Sequence, residues 1–124
     1  MERKLTSEEL VSARTAITRN NDVSAPTRWL LKHNFIRGKI LHHGSGKAWY
    51  DTRAMSEVGI VKDFDPTFAP NWDSLEDKYN VVVSNYVLNV LPPLERARAI
   101  KQISRCLDYD GVALITVRSA RDTG

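Results

Sequence analysis

Apolar and polar positions alternate along this 124-residue chain with two periods, one helical and one extended. Thr6-Ser7-Glu8-Glu9 sets a hydroxyl cap before two acids, which predicts a helix from there to about Arg19. Asn20-Asn21-Asp22 reads as a turn. Ser24-Ala25-Pro26 opens a second helix, with Ser24 as its cap and Pro26 in the first turn, where an N–H is not needed. Trp29, Leu30, His33 and Ile36 would line its buried side, and Gly38 stops it. The period then shortens. Lys39–His43 is a brief strand running into Gly44-Ser45-Gly46, followed by a helix from about Lys47 to Glu57 that Gly59 ends. Ile60–Phe64 is a second strand, which delivers Asp65-Pro66. Residues 66–78, with two prolines and several acids, read as a loop.

Tyr79–Ser84 is a β-branched apolar run suited to burial on both faces, as in a parallel sheet. Pro92-Pro93 begins a helix whose apolar positions Leu94, Ala97, Ile100, Ile103 and Leu107 recur at helical spacing. Asp110-Gly111 turns the chain into a last strand, Val112–Val117. Strands alternating with helices predict an α/β fold, a mostly parallel sheet of about four strands with helices on its faces and two N-terminal helices. The chain reads as a single domain, 1–124, with a helical extension over 1–37 and a core over 38–118. The polar residues 119–124 are expected to fray.

Composition narrows the function classes. With 42% hydrophobic and 27% charged residues the chain is an ordinary soluble domain. The single cysteine, Cys106, excludes an internal disulfide framework and a Cys-rich zinc site. No run reaches membrane-spanning length, and MERKLTSEEL lacks the apolar stretch of a signal peptide, so a cytoplasmic setting is expected. The net charge of +3 is uneven: residues 1–53 hold 10 Lys/Arg against 5 Asp/Glu, and residues 54–124 hold 8 against 10. The basic front half leaves nucleic acid or an acidic partner protein open, although no dense Lys/Arg tract marks a footprint.

In an open parallel sheet, ligands bind beyond the carboxyl ends of the strands. After the first strand, Gly44-Ser45-Gly46 permits a tight turn and close approach to a ligand at a helix N-terminus. Trp49 breaks a G-x-G-x-x-G pattern, so G-x-G-x-A fits better; a plain loop is the alternative. Asp65 follows Gly46 by 19 residues, close to the offset at which an acid accepts from ribose hydroxyls; a turn-starting Asp is the competing reading, and Asp63 the competing acid. Asn85-Tyr86 follow the third strand, where a polar group and a flat ring suit a ligand, or else a satisfied Asn and a packed Tyr.

The order GSGKA, DFDP, NVVVSNYVLNVL and VALITVR resembles a class I S-adenosylmethionine-dependent methyltransferase. More narrowly, TAITR, SAPTRWLL, HHGSGK, DFDPTFAP and NYVLNVLPPLERA are similar to methyltransferases associated with DNA phosphorothioation gene clusters. Together these segments span about residues 15–118. The resemblance implies a minimal Rossmann-like three-layer sandwich and S-adenosylmethionine as the ligand. It implies that Gly44, Ser45 and Gly46 line the methionine and ribose portion, that Asp65 holds the ribose hydroxyls, and that Asn85 and Tyr86 border the sulfonium and methionine end. The family's first strand commonly ends in an acid; here His42-His43 stand there, and Asp51 is the nearest substitute carboxylate. The adenine-side acid has no clean match: Asp73 is the candidate, with Trp72 able to stack on adenine. The family's final antiparallel strands and target-recognition elements have no counterpart after Val117.

Other residues are less telling. His42 and His43 point to opposite faces of a strand and cannot chelate one ion together, so no metal site is expected, although one of them near the ligand stays open. Cys106 reads as buried and inert. Pro92-Pro93 resembles part of an N/D-P-P-aromatic motif, but Asn89 is misplaced and Leu94 is not aromatic, so a helix start is the better reading. Trp49-Tyr50 either close over a ligand or pack on the sheet. Glu95, Arg96 and Arg98 read as a solvated face. No catalytic side chain stands out. The leading expectation is an S-adenosylmethionine-binding, methyltransferase-like enzyme with an unidentified acceptor, nucleic acid among the candidates. The rivals are a protein that degrades or sequesters S-adenosylmethionine, and a nucleotide-binding interaction module. A second copy of the chain remains open as a partner.

Overall fold

The computed structural model describes residues 22–118; the expected first helix over 6–19 and the polar tail lie outside the described residues. Helix α1 spans Ala25–Lys32, strand β1 Gly38–His43, helix α2 Trp49–Met55 and strand β2 Gly59–Phe64. A short 3-10 helix at Trp72–Glu76 precedes β3 (Tyr79–Asn85), α3 (Pro93–Arg105) and β4 (Leu107–Thr116). The sheet order is β2-β1-β3-β4 and every pairing is parallel. This is the expected Rossmann-like α/β fold, reduced to four strands.

Strand alternation divides the core between the two sheet faces. Ile40, Val81 and Val83 pack with Leu30 and Ile36 and with Met55 of α2. Leu41 and Val82 pack with Phe64, Tyr79, Ile103 and Cys106 on the α3 side. Full burial of each such side chain contributes about 2 kcal/mol, so β1 and β3 are held from both layers. Cys106 is buried as expected, its thiol near the Leu75 carbonyl (3.4 Å). Burial pushes its pKa up.

Four local expectations need correction. The Ser24 side chain does not cap its own helix; its hydroxyl donates to Asp51 instead. Trp29 is 54% exposed and His33 is also exposed. Trp29 stacks on Phe35 (5.6 Å between ring centres) and borders an open groove with Pro26, Leu114 and Ile115, rather than entering the core.

Helix α3 turns Ala99 and Ile103 inward and leaves Leu94 and Ile100 exposed. Its rotation is set by Ala99 against Leu88 and Leu91, and by Arg96, whose guanidinium donates to the Leu88 and Leu91 carbonyls (2.9 and 3.0 Å). Asp110-Gly111 forms a bulge inside β4 rather than a turn before it. Tyr79 and Val81 pair with Leu107 and Val112, so β4 carries the extra residues. Asp110 is left-handed (φ 65°), and a Cβ on Gly111 would lie 2.8 Å from the Tyr79 carbonyl oxygen.

Candidate functional site

Parallel strands place all their carboxyl ends on one edge, and the loop after β1 is fastened there from β2. The Gly44 and Ser45 amides both donate to the Phe64 carbonyl (2.7 and 3.1 Å). The Gly46 amide donates to Asp65 Oδ2 (2.9 Å), and the Thr67 and Phe68 amides donate to Asp65 Oδ1 (2.9 and 3.0 Å). The 19-residue spacing of Gly46 and Asp65 is therefore a direct contact. Asp65 is only 3% exposed and ties the glycine loop to its own turn. Gly44 and Gly46 adopt left-handed backbone (φ 67° and 55°), a conformation that costs other residues about 1–2 kcal/mol. A Cβ at Gly44 would also run into Val87.

Four buried side-chain polar atoms among the described residues have no hydrogen-bond partner: His43 Nδ1, Ser45 Oγ, Ser84 Oγ and Asn85 Oδ1. All four lie at the carboxyl ends of β1 and β3 or in the loop that follows β1. An unpaired buried polar group costs about 1–3 kcal/mol, so four at one edge single it out as the candidate site. His43 Nε2 lies 3.0 Å from Gln102 Oε1. That oxygen can only accept, so the ring proton sits on Nε2 and Nδ1 is left as an acceptor.

The start of α1 docks onto the same edge. The Ser24 amide donates to Asp51 Oδ1 (2.6 Å), and the Ser24 and Thr27 hydroxyls donate to Asp51 Oδ2, the latter at 2.8 Å. Asn85 Nδ2 donates to Thr27 Oγ1 (2.9 Å). Tyr86, next along, is a non-glycine residue in the left-handed region (φ 61°), pinned by its amide to the Thr116 carbonyl (2.7 Å). Strained backbone of this kind clusters where a side chain must be aimed. The Arg118 guanidinium lies 4.9 Å from the Tyr86 ring centre.

Trp72 is 53% exposed, edge-on to Phe64 (4.8 Å), and Asp73 is exposed beside it. Phe64 in turn lies 5.8 Å from the His43 ring, so the Trp72 face is carried next to the edge where the glycine loop sits. Trp49 and Tyr50 are largely exposed at the start of α2.

His42 and His43 diverge as strand geometry requires: His42 Nδ1 lies 2.8 Å from Thr52 Oγ1, and His43 meets Gln102 on the other face. Burial lowers both pKa values; Asp51 pulls His42 back toward its charged form, and the Gln102 bond does the same for His43, without overcoming burial. Both rings therefore favour the neutral form more strongly in the folded chain than in the unfolded one. Depressed histidine values give stability that is complete above the unfolded pKa of about 6.5 and is lost as pH falls below it. We expect urea denaturation to report a stability about 2 kcal/mol lower at pH 5.5 than at pH 7, with the slope reduced in His43→Gln. A flat profile would show that these rings are charged, or free to charge, in the folded state.

Thr27, Ser84 and Gln102 were not singled out by sequence. Ser84 carried a signal, a hydroxyl closing an apolar run; Thr27 and Gln102 carried none beyond helical position. Among the described residues no helix is long and apolar enough to cross a membrane. Residues 24–123 match a family model described as a methyltransferase domain. Comparison with curated proteins finds no match. Among solved structures, the chain is similar to the DhpI-SAM-HEP complex, with a TM-score of 0.65 and 15% identity over 94% of this chain and 70% of that one. At that identity the likeness speaks for the fold alone.

Proposed function

We propose an S-adenosylmethionine-dependent methyltransferase from one premise: the chain belongs to the methyltransferase domain family. The observation that carries the proposal is the cluster of four unpartnered buried polar atoms around a left-handed glycine loop between β1 and β3. That cradle fits a ligand rich in hydrogen-bonding groups. The DhpI complex, of the same fold, has SAM in its name, which supports the choice of ligand.

Gly44, Ser45 and Gly46 line the methionine and ribose portion, and Ser45 Oγ gains a partner there. Asp65, fixed by backbone amides beside Gly46, holds the ribose hydroxyls. Asn85 and Tyr86 border the methionine end, and Tyr86 is aimed by its strained backbone. Trp72 offers an open ring face to adenine, with Asp73 next to it. S-adenosylmethionine, when bound, supplies a methyl group on a sulfonium leaving group, so no nucleophile is required of the protein. The chain's own residues then have three tasks: to bind, to orient and to exclude water. For the acceptor, the likeness to phosphorothioation-associated methyltransferases and the basic balance of residues 1–53 support nucleic acid.

Titration calorimetry with S-adenosylmethionine, S-adenosylhomocysteine and NAD tests the ligand. Heat is expected from the first two and not from NAD; silence from the first two would refute the proposal. Incubation with S-adenosylmethionine alone should leave it intact, whereas its breakdown without an acceptor would favour a degrading enzyme.

A further inference from the structure

The exposed face of α1 carries rings and cations in adjacent rows. Trp29 and His33 are one helical turn apart, and so are Arg28 and Lys32. The Trp29 and His33 ring centres lie 4.2 Å apart, and Phe35, just past the helix, stacks on Trp29 with the two planes 11° from parallel. Trp29 is 54% and Phe35 46% exposed. Single exposed apolar residues are ordinary, whereas contiguous exposed rings point to a partner. The charge around them has one sign. From Val23 to Tyr50 the chain has no acid and five cations, Arg28, Lys32, Arg37, Lys39 and Lys47. Arg28, Lys32 and Arg37 are exposed. Arg28 meets Asp22 at 3.6 Å, with both side chains more than half exposed, but no acid among the described residues pairs with Lys32 or Arg37. Trp29 also walls an open groove of about 500 Å³ with Pro26, Leu30, Leu114 and Thr116. Pro26 adjoins Thr27, which accepts from Asn85, and Thr116 pairs with Asn85 between β3 and β4. The groove therefore leads from the rings to the carboxyl edge where the candidate site lies.

A partner for this surface needs flat faces to lie on the rings and negative charge to meet the cations. An acidic peptide brings the charge without the flat faces, and a duplex hides its base faces in its own stack. A single strand of nucleic acid brings an open base and a phosphate at every step. We infer, resting on the nucleic-acid reading of the acceptor above and deepening it, that the exposed face of α1 with Phe35 and Arg37 is a platform for single-stranded nucleic acid. A base stacks on the Trp29–Phe35 pair, and Arg28, Lys32 and Arg37 meet the flanking phosphates. Every base has such a face, and phosphates are common to DNA and RNA, so the platform reads neither sequence nor sugar. A strand held there lies beside the groove that leads to the site.

Fluorescence anisotropy on the full chain tests this, with labelled oligothymidylate and oligouridylate of about 15 nucleotides. The parent protein should bind the two within about fivefold of each other, and a duplex of equal length more weakly at the same salt. Trp29→Ala should weaken single-strand binding about tenfold, and Trp29→Phe, which keeps a ring, should recover most of it. Lys32→Gln and Arg37→Gln should each reduce the slope of log affinity against log salt by about 0.7. Should Trp29→Ala not fold, Trp29→Phe and the two salt slopes decide. Parent-like binding by Trp29→Ala, unchanged salt slopes, or a preference for the duplex overturns the platform and leaves the nucleic-acid acceptor standing. If Trp29→Ala instead turns a dimer into a monomer on gel filtration with its affinity unchanged, the rings are an interface between copies and the platform is likewise overturned. A parent protein that binds neither oligonucleotide nor the duplex overturns the acceptor reading, and the platform with it.

Discussion

Asp65→Ala is expected to lower the thermal unfolding midpoint by roughly 10 °C and to abolish cofactor binding, because one side chain holds two parts of the site. Its carboxylate receives the amides of Gly46, Thr67 and Phe68 in a nearly closed position. Deleting it strands those donors, and bonds to a charged group are worth about 1.5–3 kcal/mol each, so a net loss of about 3 kcal/mol is a moderate figure after local relaxation. A lost ribose contact alone would weaken binding without touching stability. Asp65→Asn keeps one acceptor oxygen but turns an NH2 toward at least one of the three donors, so we expect it to lose part of the same stability. Differential scanning calorimetry of both variants, without ligand, checks this. A midpoint within 2 °C of the parent would mean that the Asp65 bonds to the loop contribute little.

Gly44→Ala should be comparably severe, at about 3 kcal/mol, and for a different reason. Two costs combine there: a left-handed backbone (φ 67°), which disfavours any Cβ by about 1–2 kcal/mol, and the collision of that Cβ with Val87. The second cost can be relieved separately. In Gly44→Ala combined with Val87→Ala the collision is gone and the dihedral cost remains, so the pair should recover part of the loss seen in urea denaturation after allowing for Val87→Ala alone. No recovery would assign the whole effect to backbone conformation. Full recovery would mean that the loop can abandon its left-handed turn, and with it the close approach a ligand needs.

The parts legible in the sequence were those governed by local period and by glycine. The strand cores in KILHH, IVKDF and YNVVVS came out within a residue or two, because alternation and β-branching act over a few neighbours. The contact of Asp65 with Gly46 follows from their spacing, since a fixed strand–loop–helix–strand unit sets that distance, and its bonds to the Thr67 and Phe68 amides make it a turn-starting Asp as well. Rotations and long-range pairings were not legible. The apolar positions of α3 do not report its buried face, because Arg96, reaching back to two carbonyls, helps to fix the rotation of the helix. Asp110-Gly111 has turn chemistry, and the same left-handed freedom serves a bulge equally well. Thr27, Asp51 and Asn85 meet across 24 and 58 residues of chain, a separation that no periodicity reports.

The two walls of the cradle, β1 and β3, are sequence-distant strands joined in parallel, Ile40 to Val81 through His42 to Val83. Such a pair cannot close as a hairpin; it must wait for the intervening α2, β2 and 3-10 helix to fold back between them. Loop closure over that stretch comes before the contacts that reward it, so this pairing carries an entropic cost that a hairpin avoids. A ligand that fits only the finished cradle draws the whole folding equilibrium toward the native side.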